Sequence, residues 1–567
     1  MTDARQFSVW DYVVFAAMLL ASAAIGVYTA LTGGRQRTAD EFLLGDRKVN
    51  ILPVALSMTV SFISAISVIG SPGDVYVYNI MYGWVAVTLC IGSFLAIRWF
   101  LPIYMRLNVT SIYEYLDMRF NRAMRLSASL LYSLQLLLYM GIVLYTPATA
   151  LNAVTGMDLW TAVMSTGAVC IFYSTVGGIK AVLWADSLQA LVIVGGLIAI
   201  IVKGTIDVGG VDEVIRRGVE GNRIYFTEMN PDPRITYSVW TMLFGNTFLQ
   251  LSFYTNQMVA QRLLACGSKK KAKQAIGIFN ISYAFIVSLC VVSGLVMYAY
   301  YKDCDPLTQG VVSNRDQLMP LFVMDIFADI PGVPGLFLAA VLSASISTMS
   351  SGINSLAAVT GEDFIKSIWT DMKPSTYVWV SKGLALCYGI LTMGTAYLAS
   401  LMGSGVLQLA VSLTGIVGGS LIGVFLLGVY VHRSNSAGAI AGFFTGVILL
   451  SWIKIGSILY PTDGGQNVLS TDNCPDLNTT DRAWTSSSLV TEYSTTPTVG
   501  EESRAGITDL YALSSYAYPT IGLIVCFGVG VLCKEVELKT RQHFSKESDV
   551  KETKSVSQDF AASMNQF

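Results

Sequence analysis

Seven small or polar residues crowd one stretch of the chain: Ala344, Ser345, Ser347, Thr348, Ser350, Ser351 and Asn354. Positions 344, 347, 348 and 351 follow the i, i+3, i+4, i+7 spacing of one helical face. Hydroxyl and carbonyl oxygens are the ligands that a hard cation such as sodium takes. Ser347 and Thr348 would therefore suit a neutral oxygen cage that binds weakly and reversibly. The same spacing would serve equally as a small-residue stripe along which helices pack.

A second hydroxyl-rich run reads Ser57-Met-Thr-Val-Ser-Phe-Ile-Ser-Ala-Ile-Ser-Val-Ile-Gly-Ser-Pro-Gly73, and Gly70 and Pro72 are expected to interrupt its helix. A comparable polar insertion, Ser252-Phe-Tyr-Thr-Asn-Gln257, lies far downstream. Backbone that unwinds inside a membrane must line protein or a water-filled cavity. Two interrupted helices at matching positions in two halves of a chain point to a transport site. Glycine and serine there would also simply let helices approach closely.

Asp186 lies within Ala181-Val-Leu-Trp-Ala-Asp-Ser-Leu-Gln189, just after Tyr173-Ser-Thr-Val-Gly-Gly178. A carboxylate at this depth is costly and marks an ion path or a charge pair. A salt bridge to a loop base such as Lys180 is the plainer alternative. Enzymatic chemistry is not expected. The only histidines are His432 and His543, the nine cysteines form no CxxC pair, and no Walker loop, HExxH or nucleophile elbow occurs. Repeated pore motifs and rings of charge, the marks of a channel, are also missing from the sequence.

The elements that must position these groups follow from composition. Of 567 residues, 53% are hydrophobic and 13% charged, with mean hydropathy +0.56. A soluble domain carries about 25% charged residues. The shortfall fits an all-α polytopic membrane protein whose outer surface faces lipid. About thirteen runs are long enough to span. The first covers 12–31 and reads as a retained helix rather than a cleaved leader. The second covers 50–72, the fifth 158–178, the sixth 182–206 and the seventh 237–262. The ninth covers 334–360, the eleventh 405–431 and the thirteenth 515–535. The two interrupted spans are five apart, so the second half is inverted relative to the first.

Basic residues mark the cytoplasmic loops. Arg35, Arg37, Arg47 and Lys48 lie in the first loop, and Arg106, Arg119, Arg122 and Arg125 in the third. Arg262, Lys269, Lys270, Lys271 and Lys273 lie in the seventh. These loops and the lysine-rich tail share one side, predicting an outside amino terminus and a cytoplasmic carboxyl terminus. Arg216, Arg217, Arg223 and Arg234 in the even loop 207–236 dissent. The transmembrane domain is expected over 1–536, with core repeats at 50–206 and 237–431 and an outer loop at 460–514. The tail, 537–567, is polar enough to be disordered. Asn478-Thr-Thr480 is a glycosylation sequon on the predicted outer face. Cys304 and Cys474 both fall in outer loops, where a disulfide would persist, though their pairing stays open.

Several of these segments resemble the sodium/solute symporter family. They are Thr110-Ser-Ile-Tyr-Glu-Tyr-Leu-Asp-Met-Arg-Phe120, the Gly-Gly…Trp-Ala-Asp…Gln stretch, Asn256-Gln257…Gln261-Arg262, and the ninth span ending in Glu362-Asp363. The resemblance runs over nearly the whole chain. It implies a LeuT-like 5+5 inverted repeat and sodium-driven alternating access. It puts one sodium on the hydroxyls of Ser347 and Thr348 and the carbonyls of Ala344, Val60 and Ile63. A second sodium falls to Asp186, Ser350 and Ser351. The substrate pocket falls to Phe62, Ser67, Phe253, Leu407 and Val411.

Sugar-carrying members have glutamine at the Ser67 and Val411 positions and glutamate at the Gly83 position. A site built for many hydroxyls needs matched polar groups. The resemblance therefore leans to the monocarboxylate, multivitamin and iodide branch, which Tyr301-Lys-Asp-Cys-Asp-Pro306 and Asp316-Gln-Leu-Met-Pro320 also resemble. Glutamine at the Ser67 position of the iodide carrier disfavours iodide. The expected function is sodium-coupled symport of a small organic anion across the plasma membrane. Monocarboxylates come first and pantothenate- or biotin-type vitamins second. A nutrient sensor on the same fold is the rival of a different class.

Overall fold

The computed structural model describes residues 7–32, 49–107, 110–369, 371–401, 405–460, 465–471, 474 and 508–545, with the side chains of 172–182 among those left out. The first-loop bases, Asn478 and the end of the tail therefore lie outside the described residues, as do the side chains of the Tyr173–Gly178 motif and Lys180. The described residues form helices joined by irregular loops, with no strand among them. Lipid offers no partner for backbone N–H and C=O groups, so each apolar run closes its hydrogen bonds internally. Nine described helices are long and apolar enough to cross a membrane, ten with one bent pair.

The ninth and eleventh spans, Val333–Ile368 and Val406–Tyr430, are 94% and 89% buried over their apolar windows. The tenth, Thr376–Ser400, is only 22% buried. The small-residue faces thus sit at the centre, and the tenth span faces lipid. Asp11 stands in the first turn of the first helix. It is buried, and its Oδ1 accepts from the N–H groups of Gly332 and Gly335 at 2.8 and 3.1 Å. It thereby satisfies free donors at the start of the ninth span, where a negative charge is also favoured. The first and ninth spans therefore begin on one side, as odd-numbered spans must.

An unbroken helical assignment covers Leu159–Val208, which includes both the predicted fifth and sixth spans. Its 50 residues would extend about 75 Å if straight, far beyond a bilayer core. Trp160 packs on Tyr397, whereas Gly204 lies against Val296 and Phe322, near the same outer layer. Asp186, between them, reaches Ser57 and Arg262 on the inner side. The segment crosses and returns, so two spans remain.

Both interrupted spans are present, but the second breaks elsewhere than expected. Its halves, Ile51–Phe62 and Ile66–Val77, meet at 57° around Ile63–Ala65. Gly70 and Pro72 do not break it. Pro72 occupies the first turn of Ser71–Val77, where a missing N–H costs little. Gly70 allows close approach, because a Cβ there would meet Leu407 Cβ at 3.1 Å. The seventh span breaks where expected. A 3-10 turn at Phe253–Thr255 gives way to extended Asn256 before Gln257–Ala265 resumes.

Two basic groups were misplaced by sequence alone. Arg262 is no loop base; it is 3% exposed within the seventh span. Arg223 is fully buried, donating from Nε to the Tyr76 carbonyl at 2.7 Å. The rest of the dissenting loop is neutralised locally. Arg216 and Arg217 pair with Glu213, and Arg234 pairs with Asp232. Balanced charges carry little orientation signal.

Cys304 and Cys474 form a disulfide with Cα atoms 4.9 Å apart. It joins positions 170 apart in the chain, and nearby Asn467 N–H donates to the Val77 carbonyl at 3.1 Å. Long closed loops gain most from cross-linking, typically about 2–5 kcal/mol. Cys304→Ser should therefore lower the midpoint of thermal unfolding and surface abundance, with the sodium activation curve of the surviving copies unchanged. Equal melting of variant and wild type would remove the disulfide from the stability account.

Candidate functional site

The two breaks meet at the centre. Phe62, ending the first half of the second span, stacks on Phe253 at the seventh-span break, with ring centroids 4.4 Å apart. Unwound carbonyls need partners at this depth, and third-span and inner-loop residues supply them. The Tyr104 hydroxyl donates to the Tyr254 carbonyl at 2.7 Å, and that of Tyr113 to the Thr255 carbonyl at 3.2 Å. Gln257 clamps the same region, accepting from Ile112 N–H at 3.0 Å and donating to the Thr110 carbonyl at 2.6 Å. The Thr110–Phe120 and Asn256-Gln257 segments are thus two halves of one prop. At the inner end of the ninth span, Asp363 accepts from Ser111 Oγ at 2.9 Å and Arg125 Nε at 2.9 Å.

A cavity lies beside the breaks. Phe62, Ser67, Phe253, Leu407 and Val411 all line it. Gly83 does not; a Cβ there would face Phe226 at 3.8 Å. The walls are more polar than the single hydroxyl anticipated from sequence. Ser61, Ser64, Gln135, Asn246, Gln250, Asn256 and Thr414 also line the cavity. Tyr139 approaches Ser64 and Tyr283 approaches Gln250, whereas Asn246 Oδ1 is buried without a hydrogen-bond partner, as a group awaiting a polar donor or water would be. These amides lie on the fourth and seventh spans, and no local pattern distinguishes them from structural amides. None of the lining residues is charged.

Beside the cavity, Thr348 Oγ1 lies 3.1 Å from the Ser61 carbonyl and 3.0 Å from that of Ala344. Ser61 falls between Val60 and Ile63, so the ninth-span hydroxyl meets the last turn before the second-span break. Ser347 Oγ is buried and lies beside the Asp186 carboxylate, between the Thr348 oxygens and the Asp186 cluster. Small oxygens from two elements therefore converge where a cation could bridge them.

The second predicted ion site looks different. Ser350 Oγ turns back to its own helix, donating to the Ser347 carbonyl at 3.0 Å. Arg262 fills the space between the other two residues. Its guanidinium donates to Ser61 Oγ at 2.6 Å, Ser351 Oγ at 2.5 Å and Ser57 Oγ at 3.0 Å, and lies 3.8 Å from Asp186. Ser57 Oγ donates to Asp186 Oδ2 at 2.5 Å. Asp186, Ser350 and Ser351 are thus not a cage as they stand; a resident guanidinium supplies the positive charge. Sequence reasoning missed it because Arg262 stands next to a basic loop.

Known proteins resemble this chain over most of its length. The family model described as the sodium:solute symporter family matches residues 42–446. Sodium-coupled monocarboxylate transporter 2 of Bos taurus is 42% identical over 535 residues, covering 94% of this chain and 84% of that protein. The sodium/iodide cotransporter of Homo sapiens is 42% identical over 534 residues, covering 93% and 83%. The solved outward-open state of a Na+-coupled sialic acid symporter superposes with a TM-score of 0.75 at 22% identity, covering 94% and 98%. That likeness establishes a common LeuT-like fold.

Proposed function

Because this chain belongs to the sodium:solute symporter family, we propose that it couples inward sodium flow to uptake of a small organic monocarboxylate by alternating access. The observation that carries this reading is the uncharged cavity flanked by two helix breaks, with the Ser347–Thr348 oxygens alongside. A carboxylate in an uncharged cavity needs a counter-charge nearby, because an unpaired buried ion is expensive. Sodium bound at Thr348 would supply it. Ion and anion would then stabilise each other, which is coupling in its simplest form.

One sodium is expected on Ser347, Thr348 and the carbonyls of Ala344, Val60 and Ile63. A second, on Asp186 and Ser351, would have to replace the Arg262 guanidinium. Each sodium gains about 2.3 kcal/mol per 100 mV and about 1.4 kcal/mol per tenfold gradient. Near −70 mV one ion supplies roughly 3 kcal/mol and two roughly 6. The protein would sit in the plasma membrane with its amino terminus outside, its carboxyl terminus in the cytoplasm and Asn478 open to glycosylation.

The test is uptake in oocytes, with sodium or choline, across lactate, nicotinate, pantothenate, biotin, iodide and glucose. Sodium-dependent uptake of lactate or nicotinate is the expected result. Equal uptake in choline would sink sodium coupling, and saturable binding without flux would indicate a sensor. The similarity to the human iodide cotransporter keeps iodide as a second reading.

A further inference from the structure

No charged side chain lines the cavity, yet a guanidinium stands just outside it. Arg315 lies in the outer loop between the eighth and ninth spans, and its Nη1 is 3.1 Å from Asp74 Oδ1. The Arg315 side chain is 16% exposed and Asp74 only 1%. No well-aligned hydrogen bond joins Nη1 to Oδ1, so charge rather than a directed bond holds that contact. The other carboxylate oxygen of Asp74 accepts from the Tyr237 hydroxyl at 2.5 Å and Gln408 Nε2 at 2.8 Å. Asp316 Oδ2 accepts from Val406 N–H at 3.0 Å. This cluster therefore ties together the outer ends of the second, seventh and eleventh spans.

Its position is specific. Tyr237 lies 3.4 Å, oxygen to oxygen, from Tyr516, and Tyr516 and Leu407 line the central cavity. Asp316 and Val406, their neighbours, line a separate outer cavity of about 520 Å³. Arg315 thus stands at the partition between the two. Glycine makes room for it, since a Cβ on Gly405 would fall 2.3 Å from Arg315 Nε.

We infer that Arg315 is a selectivity residue for the anion at the outer mouth, an inference that rests on the monocarboxylate reading above. With the outer side closed, Asp74 occupies the guanidinium. An opening that parts the second-span end from the 314–317 turn would break the Arg315–Asp74 contact. The freed guanidinium then faces the outer cavity, and an incoming carboxylate takes the place of Asp74. A planar fork suits a carboxylate, and a lone charge in a low-dielectric cleft concentrates anions. Deeper in, sodium takes over the charge.

A purely structural latch makes a different prediction. Removing either partner would then have the same effect, and exchanging the charges would restore function. The experiment is labelled lactate uptake in oocytes at saturating sodium, per surface copy of the full chain. Arg315→Gln should raise the KM for lactate about tenfold, the low end of field focusing at a charged cleft. Its sodium half-saturation should be unchanged. Asp74→Asn should not raise KM, and the double exchange Arg315→Asp with Asp74→Arg should not rescue it. Arg315→Lys keeps the charge but not the planar fork, so its KM should fall between those of wild type and Arg315→Gln. Equal KM increases in Arg315→Gln and Asp74→Asn, rescue by the double exchange, or an unchanged KM in Arg315→Gln would each overturn the inference. If the glutamine variant fails to reach the surface, Asp74→Asn and Arg315→Lys decide by the same criteria. A wild type that takes up no carboxylate would instead defeat the transport reading.

Discussion

Thr348→Ala should raise the sodium concentration for half-maximal uptake roughly 10–100-fold, with anion affinity at saturating sodium close to wild type. The size follows from removing one oxygen ligand, worth about 1.5–3 kcal/mol when the partner is charged, at about 1.4 kcal/mol per tenfold. The hydroxyl sits 3.1 Å from the Ser61 carbonyl, at the turn that ends in the second-span break. An ion there joins the second and ninth spans, which explains how an ion could organise a pocket built partly from Phe62 and Ser67. Thr348→Ser keeps the oxygen and should behave like wild type. A sodium activation curve unchanged in the alanine variant would move the ion elsewhere.

The second large effect concerns Arg262. Asp186 and Arg262 are buried together, with side chains 1% and 4% exposed. Removing one partner of such a pair leaves an uncompensated charge and costs about 3–5 kcal/mol. Arg262→Gln should therefore melt well below wild type in choline buffer. In sodium buffer much of that loss should return, because Asp186, Ser57 and Ser351 then offer an anionic oxygen site to the ion. Asp186→Asn should melt low in both buffers, since sodium cannot replace a missing carboxylate. The double variant, with neither charge, should be more stable than either single one. Thermal unfolding of purified protein in the two salts measures all four. Melting of Arg262→Gln that ignores sodium would mean that the guanidinium is structural and that no second ion uses this place.

These two results bear on stoichiometry. If sodium can replace Arg262, transport with two ions requires the guanidinium to swing away in part of the cycle. If it cannot, the Thr348 site carries the coupling alone, and one sodium with one monovalent anion would be electroneutral.

Much of the molecule follows from local pattern. Apolar runs of membrane length marked the spans, because lipid imposes helix on every exposed backbone. The 344, 347, 348, 351 spacing marked the central face of the ninth span, because a helix repeats every 3.6 residues whatever surrounds it. The Ser252–Gln257 insertion marked the seventh-span break for the same local reason. The second-span break was misread. Gly70 and Pro72 look like breakers, but whether a proline breaks a helix depends on its turn, and whether a glycine bends one depends on what packs against it. Arg262, Arg223 and Arg315 were illegible as buried groups. A buried charge is tolerated only by its partners, and Asp186, the Tyr76 carbonyl and Asp74 lie 76, 147 and 241 positions away in the chain. Gln135, Asn246 and Gln250 became cavity walls only when the fourth and seventh spans came together. The sequence by itself thus determined the spans, their inverted order and the buried small-residue face of the ninth span, since each is written in contiguous residues. Only the tertiary structure decided which charges neutralise one another, and hence where an ion or an anion can bind, because electrostatic balance belongs to residues brought together from distant spans.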